Sequence, residues 1–214
     1  MKKNSKLHGV RKSIHIISTG QQSMETFVRI ISEIHNHVDA IHIREKGWTA
    51  KELVYVIQIL VTKGVPLEKI MVNDRVDVAY SMKIGGVQLG YRSIDVSLVK
   101  KAFPSLLIGS SVHTVNEAIE AQRKGADYLL YGHIYPTLSK RGQEPKGLRN
   151  LREVIRNVSL PVIAIGGITP KNTKEILATG AKGIAVLSGV LLAKDPVQAV
   201  VDYQKAMHIE EVIS

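Results

Sequence analysis

The sequence predicts one α/β domain over residues 1–214, a (β/α)₈ TIM barrel. Short apolar runs alternate with amphipathic stretches at intervals of roughly 20–30 residues, which is the spacing of successive strand–helix units. Several of the eight runs lack polar–apolar alternation, as strands buried on both faces do. No glycine-rich dinucleotide turn follows the first run, which disfavours a doubly wound open sheet.

The eight predicted strands are Ile14–Ile17, Ala40–Ile43, Ile70–Val72, Gly86–Leu89, Leu106–Gly109, Tyr128–Tyr131, Val162–Ile165 and Gly183–Leu187. Helix starts are predicted at Thr49 and Thr114, each followed three residues later by a glutamate that completes a capping box. Thr169 precedes a proline and predicts a further start. Gly125 and Gly180 stand where helices should end.

Composition limits the classes of function. The chain has 44% apolar and 22% charged residues, which is typical of a globular protein. It has no cysteine, so disulfides and thiolate metal sites are excluded. Residues 1–12 are predicted to form a basic N-terminal extension that can be flexible. No apolar run is long enough for a signal peptide or a bilayer span, so we expect a cytoplasmic protein with no membrane partner.

The net charge of +10 indicates an anionic partner. With two Phe, one Trp and no stripe of basic and aromatic residues, a stacking platform for nucleic acid is poorly supported. A phosphorylated small molecule is favoured over nucleic acid.

The loops that follow the strands carry the candidate site, because TIM barrels work at the carboxyl ends of their strands. His133 follows the sixth strand and is the candidate acid/base, since an imidazole exchanges protons near neutral pH. His42 lies within the second strand, where it could face the barrel interior and assist His133; packing or a hydrogen bond explains it equally well. Arg44 and Lys46 form an anion clamp or a solvated surface.

Two further loops suggest anion and metal chemistry. Gly167, after the seventh strand, and Ser188 and Gly189, after the eighth, are candidates to bind phosphate through backbone N–H groups, although a tight turn alone also explains the glycines. Asp74, after the third strand, can hold Mg²⁺ or pair with Arg75.

Taken in order, these loops resemble the thiamine-phosphate synthase superfamily over nearly the whole chain. The segments that carry the resemblance are Ile43–Lys46, Val72–Arg75, Gly86–Gly90, Ser111–Thr114, Gly125–Tyr128, Gly132–Thr137 with Ser139 and Lys140, and Ala164–Ile168. Three positions depart from the synthase pattern. Ser93 stands where the synthase has a magnesium-binding aspartate, His42 where it tends to have glutamine, and His133 where it tends to have proline.

These departures make the sequence similar to the thiazole tautomerases, a branch of that superfamily. The resemblance implies an isomerase that aromatises a carboxythiazole phosphate, with His133 moving a proton from C2 to the exocyclic carbon and with neither metal nor cofactor. The implied substrate-binding residues are Arg44, Lys46, Asn73, Ser111, Lys140, Gly167, Ser188 and Gly189. The family also implies a homo-oligomer. Two alternatives stay open: a thiamine-phosphate synthase, which couples a pyrimidine pyrophosphate to a thiazole phosphate, and a non-enzymatic regulatory protein with a barrel fold.

Overall fold

In the computed structural model, which describes residues 12–140 and 142–208, eight parallel strands close into a barrel. The strands are β1 (Ser13–Ile17), β2 (Ala40–Ile43), β3 (Ile70–Asn73), β4 (Gly86–Leu89), β5 (Ile108–Val112), β6 (Tyr128–Gly132), β7 (Val162–Ile165) and β8 (Gly183–Val186). They pair in chain order, and β1 also pairs with β8. The predicted (β/α)₈ barrel is confirmed; the basic extension at 1–12 lies outside the described residues except for Lys12.

Helices follow the strands and cover the outside of the sheet. They are α1 (Met24–Ile34), α2 (Ala50–Thr62), α3 (Val76–Met82), α4 (Val96–Ala102), α5 (Val115–Arg123), α6 (Gly147–Asn157), α7 (Pro170–Leu177), α8 (Ser188–Leu191) and α9 (Pro196–His208). Thr49, Thr114 and Thr169 cap α2, α5 and α7 as predicted. Gly125 and Gly180 adopt φ values of 92° and 98° beyond α5 and α7, a conformation that favours glycine. None of the described helices is long and apolar enough to cross a membrane.

The fifth strand differs from its predicted bounds of Leu106–Gly109. Leu106 lies in a turn, where its N–H donates to the carbonyl of Phe103 at 3.0 Å. The strand instead continues through Val112, which pairs with Tyr131 of β6. The two serines before Val112 look like a loop by composition, yet both pair with β6. Ser111 lies opposite Leu130 on the interior face, and Ser110 lies opposite Leu129 on the outer face.

The core has two parts, one outside the sheet and one inside. Aliphatic side chains of the strands and helices fill the space outside the sheet. A smaller apolar group fills the barrel: Ile17, Ala40, Met71, Tyr128, Leu130, Ile163 and Ala185. Because side chains alternate between the two faces of a strand, this group also identifies which residues point inward at the functional end.

A buried histidine pair lies inside the barrel. Nδ1 of His15 is 3.0 Å from Nε2 of His42, and both rings pack against the ring of Tyr128. Burial lowers the pKa of His15 to about 4. Burial lowers the pKa of His42 well below its ordinary value, and a positive charge on His15 lowers it further. Both rings are therefore neutral at pH 7.

This pair predicts that the fold loses stability in mild acid. The unfolded chain takes up a proton near the ordinary histidine pKa of 6.5, whereas folded His15 does so only near 4. Stability present above pH 6.5 is therefore lost as the pH falls. His15 alone lowers the free energy of unfolding by about 2 kcal/mol at pH 5. Urea unfolding at pH 7.5 and pH 5 should show that His15→Gln reduces the acid-induced loss by this amount. An unchanged loss in the variant would refute the assignment.

Candidate functional site

The carboxyl ends of the strands bring most of the predicted site residues to one mouth of the barrel. Asn73 is the last residue of β3, and Ser111 is the next-to-last residue of β5. His133 directly follows β6, Gly167 lies two residues beyond β7, and Ser188 lies two residues beyond β8. In a closed parallel barrel these ends meet, as the prediction required.

The loops after β7 and β8 contain backbone N–H groups without partners among the described residues. The N–H groups of Gly167, Ser188 and Gly189 donate to no residue in the described part of the chain. Ser188 and Gly189 are exposed and Gly167 is half-buried. Unpaired amides at a solvent-facing loop can bind an anion such as phosphate by donating hydrogen bonds to it, and no internal hydrogen bond is lost.

Gly167 also has a packing role. Its φ is +68°, and an added Cβ would lie 2.7 Å from the carbonyl oxygen of Pro136 and from Cβ of Tyr135. The backbone of Tyr135 and Pro136, in the β6–α6 loop, therefore packs directly on this glycine. Gly167 thus has both features that the sequence left open: it allows a close approach of the neighbouring backbone, and its own N–H is unpaired among the described residues.

His133 lies against the β7 loop and under its own loop. Its side chain is buried, with 6% of the residue exposed, and Nε2 lies 3.2 Å from the carbonyl oxygen of Gln143. A carbonyl only accepts, so Nε2 carries the proton of this hydrogen bond. The carbonyl oxygen of His133 accepts from the N–H of Lys146 at 2.8 Å. An added Cβ on Gly166 would meet Cβ of His133 at 2.2 Å. His133 therefore holds the returning part of the β6–α6 loop.

The floor of the mouth is an uncharged hydrogen-bonding surface. The hydroxyl of Tyr128 donates to Oε1 of Gln88 at 2.7 Å, and Nε2 of Gln88 donates to Oγ of Ser111 at 2.9 Å. Because the oxygen of Ser111 already accepts, its hydroxyl proton is available to a ligand. Nδ1 of His42 and Oδ1 of Asn73 are buried and bond to none of the described residues.

Sequence reasoning missed Gln88 and Tyr128, although a signal for one of them was present. Gln88 is an amide inside an otherwise apolar strand, and only an inward-facing partner explains such a residue. The hydroxyl of Tyr128 gave no comparable signal, because its strand reads as uniformly apolar. His42 does face the barrel interior, as one of the two open interpretations held.

Cations surround the mouth without carboxylate partners. The predicted residues Arg44, Lys46 and Lys140, together with Arg92, form no ion pair with any carboxylate in the described part of the chain. Lys46, Arg92 and Lys140 are exposed, and Arg44 is half-buried. The backbone N–H of Arg44 donates to Oγ of Ser18 at 2.8 Å. Unpaired cations at a strand-end surface attract anionic ligands.

Asp74 directly follows β3, at the same mouth. It adopts a φ of 65°, and its N–H donates to the carbonyl of Gln88 at 3.1 Å. The hydroxyl of Ser93 donates to Oδ1 of Asp74 and in turn accepts from the N–H of Gly90 at 2.6 Å. Arg75 pairs with Asp77, so the alternative of an Asp74–Arg75 ion pair does not occur.

The residues around Asp74 are compatible with Mg²⁺ when a phosphorylated ligand supplies the remaining oxygens. Oδ2 of Asp74 accepts no hydrogen bond from the described residues. Among those residues no group of three or more histidine, aspartate or glutamate side chains is arranged to hold a metal alone. Mg²⁺ is commonly held by one or two carboxylates plus substrate phosphates and water, and one carboxylate with a neighbouring hydroxyl meets that requirement.

Comparisons with known proteins agree on one family. The family model described as thiamine monophosphate synthase matches residues 14–190. A thiamine-phosphate synthase of Pyrococcus furiosus is 44% identical over 142 residues, which are 66% of this chain and 68% of that protein. One from Methanococcus vannielii is 35% identical over 182 residues, 85% of this chain and 88% of that protein.

A solved structure gives the same result. The thiamine phosphate pyrophosphorylase of Pyrococcus furiosus superposes with a TM-score of 0.79 at 32% identity, covering 94% of this chain and 97% of that one. The expectation of a thiazole tautomerase is therefore wrong, and with it the isomerase class and the carboxythiazole phosphate substrate. The departures at Ser93, His42 and His133 were given more weight than the agreement along the rest of the chain. Residues 14–190 place this chain in the thiamine monophosphate synthase family.

Proposed function

We propose that the protein is a thiamine-phosphate synthase, which joins an aminopyrimidine carried on a methylene pyrophosphate to a thiazole phosphate. The observation that carries the proposal is that two groups of residues suited to phosphorylated ligands lie on opposite sides of one barrel mouth. The free amides follow β7 and β8, whereas Asp74 and Arg92 follow β3 and β4, four strands away around the barrel. Two phosphorylated substrates bound there have their heterocycles directed toward each other.

The reaction requires positioning more than proton transfer. The bond between the pyrimidine methylene carbon and the pyrophosphate oxygen breaks, and the thiazole nitrogen forms a bond to that carbon. Pyrophosphate leaves with the electron pair of the broken bond, so no redox cofactor takes part. Holding the two reacting atoms in contact removes much of the entropic barrier of a bimolecular reaction.

The floor and the cations fit the two halves of this task. The hydroxyl of Ser111 offers one donor to a heterocycle, and Asn73 ends β3 at the same mouth. We assign the thiazole phosphate to the amides of Gly167, Ser188 and Gly189. Arg44, Lys46 and Lys140 then neutralise the charge of the pyrophosphate as it leaves.

Asp74 is the residue that would hold Mg²⁺, with pyrophosphate oxygens and water completing its ligands. When bound, the ion supplies positive charge that stabilises the leaving pyrophosphate. Ser93 orients the Asp74 carboxylate through its hydroxyl hydrogen bond. Arg92 is adjacent to Ser93 and adds a cation where the synthase pattern has none.

His133 serves this function as a positioning residue for the β6–α6 loop. Its ring and backbone hold Gln143 and Lys146, on the returning side of the loop that carries Lys140. The earlier assignment of proton transfer to His133 depended on the tautomerase reaction and stays an untested prediction. Loss of the ring should release the loop and weaken the pyrophosphate contact of Lys140.

The direct test is formation of product. Incubated with the aminopyrimidine pyrophosphate, thiazole phosphate and Mg²⁺, the protein should yield thiamine phosphate and pyrophosphate in equal amounts, measured by chromatography and a pyrophosphate-release assay. Omission of either substrate should abolish both products. Folded protein that forms no thiamine phosphate would refute the proposed function.

Restoring a second carboxylate should strengthen metal binding. Ser93→Asp is expected to lower the Mg²⁺ concentration for half-maximal turnover by about 3–10-fold, and Asp74→Asn to raise it by a similar factor or more. Calorimetric titration of Mg²⁺ with pyrophosphate into each variant gives a second readout. Asp77→Asn is the control, because Asp77 is a nearby carboxylate paired with Arg75. Equal Mg²⁺ dependence in all four proteins would exclude Asp74 from the site.

The contact between Gly166 and His133 predicts a specific loss of order in the β6–α6 loop. Gly166→Ala combines a φ of +99° with a Cβ placed 2.2 Å from Cβ of His133. Gly142→Ala is the matched control, since Gly142 also has a positive φ, +74°, but no atom within 4 Å of an added Cβ. Urea unfolding should show Gly166→Ala about 2 kcal/mol less stable than the control. Trypsin should cleave Gly166→Ala faster at Lys140 and Lys146; equal stability and cleavage would contradict the contact.

A further inference from the structure

Tyr203, on α9, contacts both loops assigned to the thiazole phosphate, although it is distant from them in sequence. Its hydroxyl donates to the carbonyl oxygen of Ile168 at 2.8 Å, in the loop after β7. The same hydroxyl oxygen lies 2.4 Å from the position that a Cβ on Gly189 would occupy, in the loop after β8. One buried oxygen atom thus lies between the two loops.

The environment of Tyr203 keeps this contact intact. The residue is 2% exposed, and burial raises the pKa of its hydroxyl to about 12. The hydroxyl is therefore protonated at neutral pH and available to donate. Ile168 is adjacent to Gly167, and its carbonyl has no other donor among the described residues, so loss of the hydroxyl would leave a buried acceptor unpaired.

The same contact accounts for the glycine at position 189. An added Cβ there would meet the hydroxyl of Tyr203 first, whereas its next contacts are Cγ1 of Val186 at 3.1 Å and Cζ of Tyr203 at 3.4 Å. Gly189 has no positive φ that would itself require glycine. The residue is small here because the tyrosine oxygen fills the space.

We propose that Tyr203 is a positioning residue for the phosphate site, which sets the spacing between the amide of Gly167 and the amides of Ser188 and Gly189. The inference rests on the proposed function, which assigns the thiazole phosphate to these amides. An anion bound by amides from two loops depends on their separation. The Tyr203 hydroxyl limits that separation by a hydrogen bond to the β7 loop and by close packing against Gly189 in the β8 loop. Tyr203 acts through these two loops and not by contact with substrate.

The test is a titration that does not depend on turnover. Tyr203→Phe removes only the oxygen atom, and calorimetry with thiazole phosphate should show its Kd raised about 10-fold, the effect of leaving one buried acceptor unpaired. The Kd of the aminopyrimidine pyrophosphate should stay within 2-fold, because that substrate lies on the other side of the mouth. In the turnover assay the same variant should raise KM for thiazole phosphate with little change in kcat.

The control variant is Gln204→Ala, on the same helix. The side-chain amide of Gln204 bonds to His37, 3.0 Å from its ring Nδ1 and 3.1 Å from its carbonyl oxygen, and so anchors α9 with no hydrogen bond to the described residues of either loop. It should leave the Kd of thiazole phosphate unchanged. If Gln204→Ala weakens binding as much as Tyr203→Phe, a loose α9 explains the effect and the proposal is overturned.

A double variant tests the contact with Gly189. Gly189→Ala should weaken thiazole phosphate binding strongly in the wild-type background and much less when Tyr203→Phe has removed the obstructing oxygen. Strict additivity would overturn the proposal, as would an unchanged Kd in Tyr203→Phe.

Wild-type protein that binds thiazole phosphate but makes no thiamine phosphate refutes the proposed function alone, and the Kd ratios still decide the role of Tyr203. Wild-type protein that does not bind thiazole phosphate refutes both.

Discussion

The pairing of β1 with both β2 and β8 is the constraint on which the site depends. It closes the sheet, so that the loops after β7 and β8 share one mouth with the loops after β3 and β4. In an open sheet these two groups of loops would lie far apart. Closure also creates the enclosed interior in which His15 bonds to His42 and Tyr128 bonds to Gln88.

The fold was predictable because eight short β-rich runs alternate with amphipathic stretches at regular intervals, a pattern typical of strand–helix units. Seven of the eight strands have their predicted bounds to within one residue at each end, as in Val162–Ile165. The bounds of β5 were not predicted, because Ser110 and Ser111 resemble a loop by composition although both pair with β6. The hydrogen bond between His15 and His42 joins two strands, and no local pattern in either strand reports it.

The site was predictable in position but not in detail. Strand ends located Asn73, His133 and Gly167, but the hydrogen bond between His133 and Gln143 depends on how a loop returns, which sequence spacing does not fix. The choice of family branch was wrong, and its physical basis was weak. The serine at position 93 counted against binding of Mg²⁺ and pyrophosphate, yet its hydroxyl bonds to Asp74, and one carboxylate plus phosphate oxygens is a common magnesium site.

We propose that one barrel mouth binds two phosphorylated groups on opposite sides, and the decisive measurement is a crystal structure with thiamine phosphate, pyrophosphate and Mg²⁺. We expect the phosphate of thiamine phosphate on the amides of Gly167, Ser188 and Gly189 and pyrophosphate beside Asp74 and Arg92, with the joined heterocycles over Ser111 and Asn73. Both phosphorylated groups on the same side of the barrel, or neither at the strand ends, would refute this arrangement.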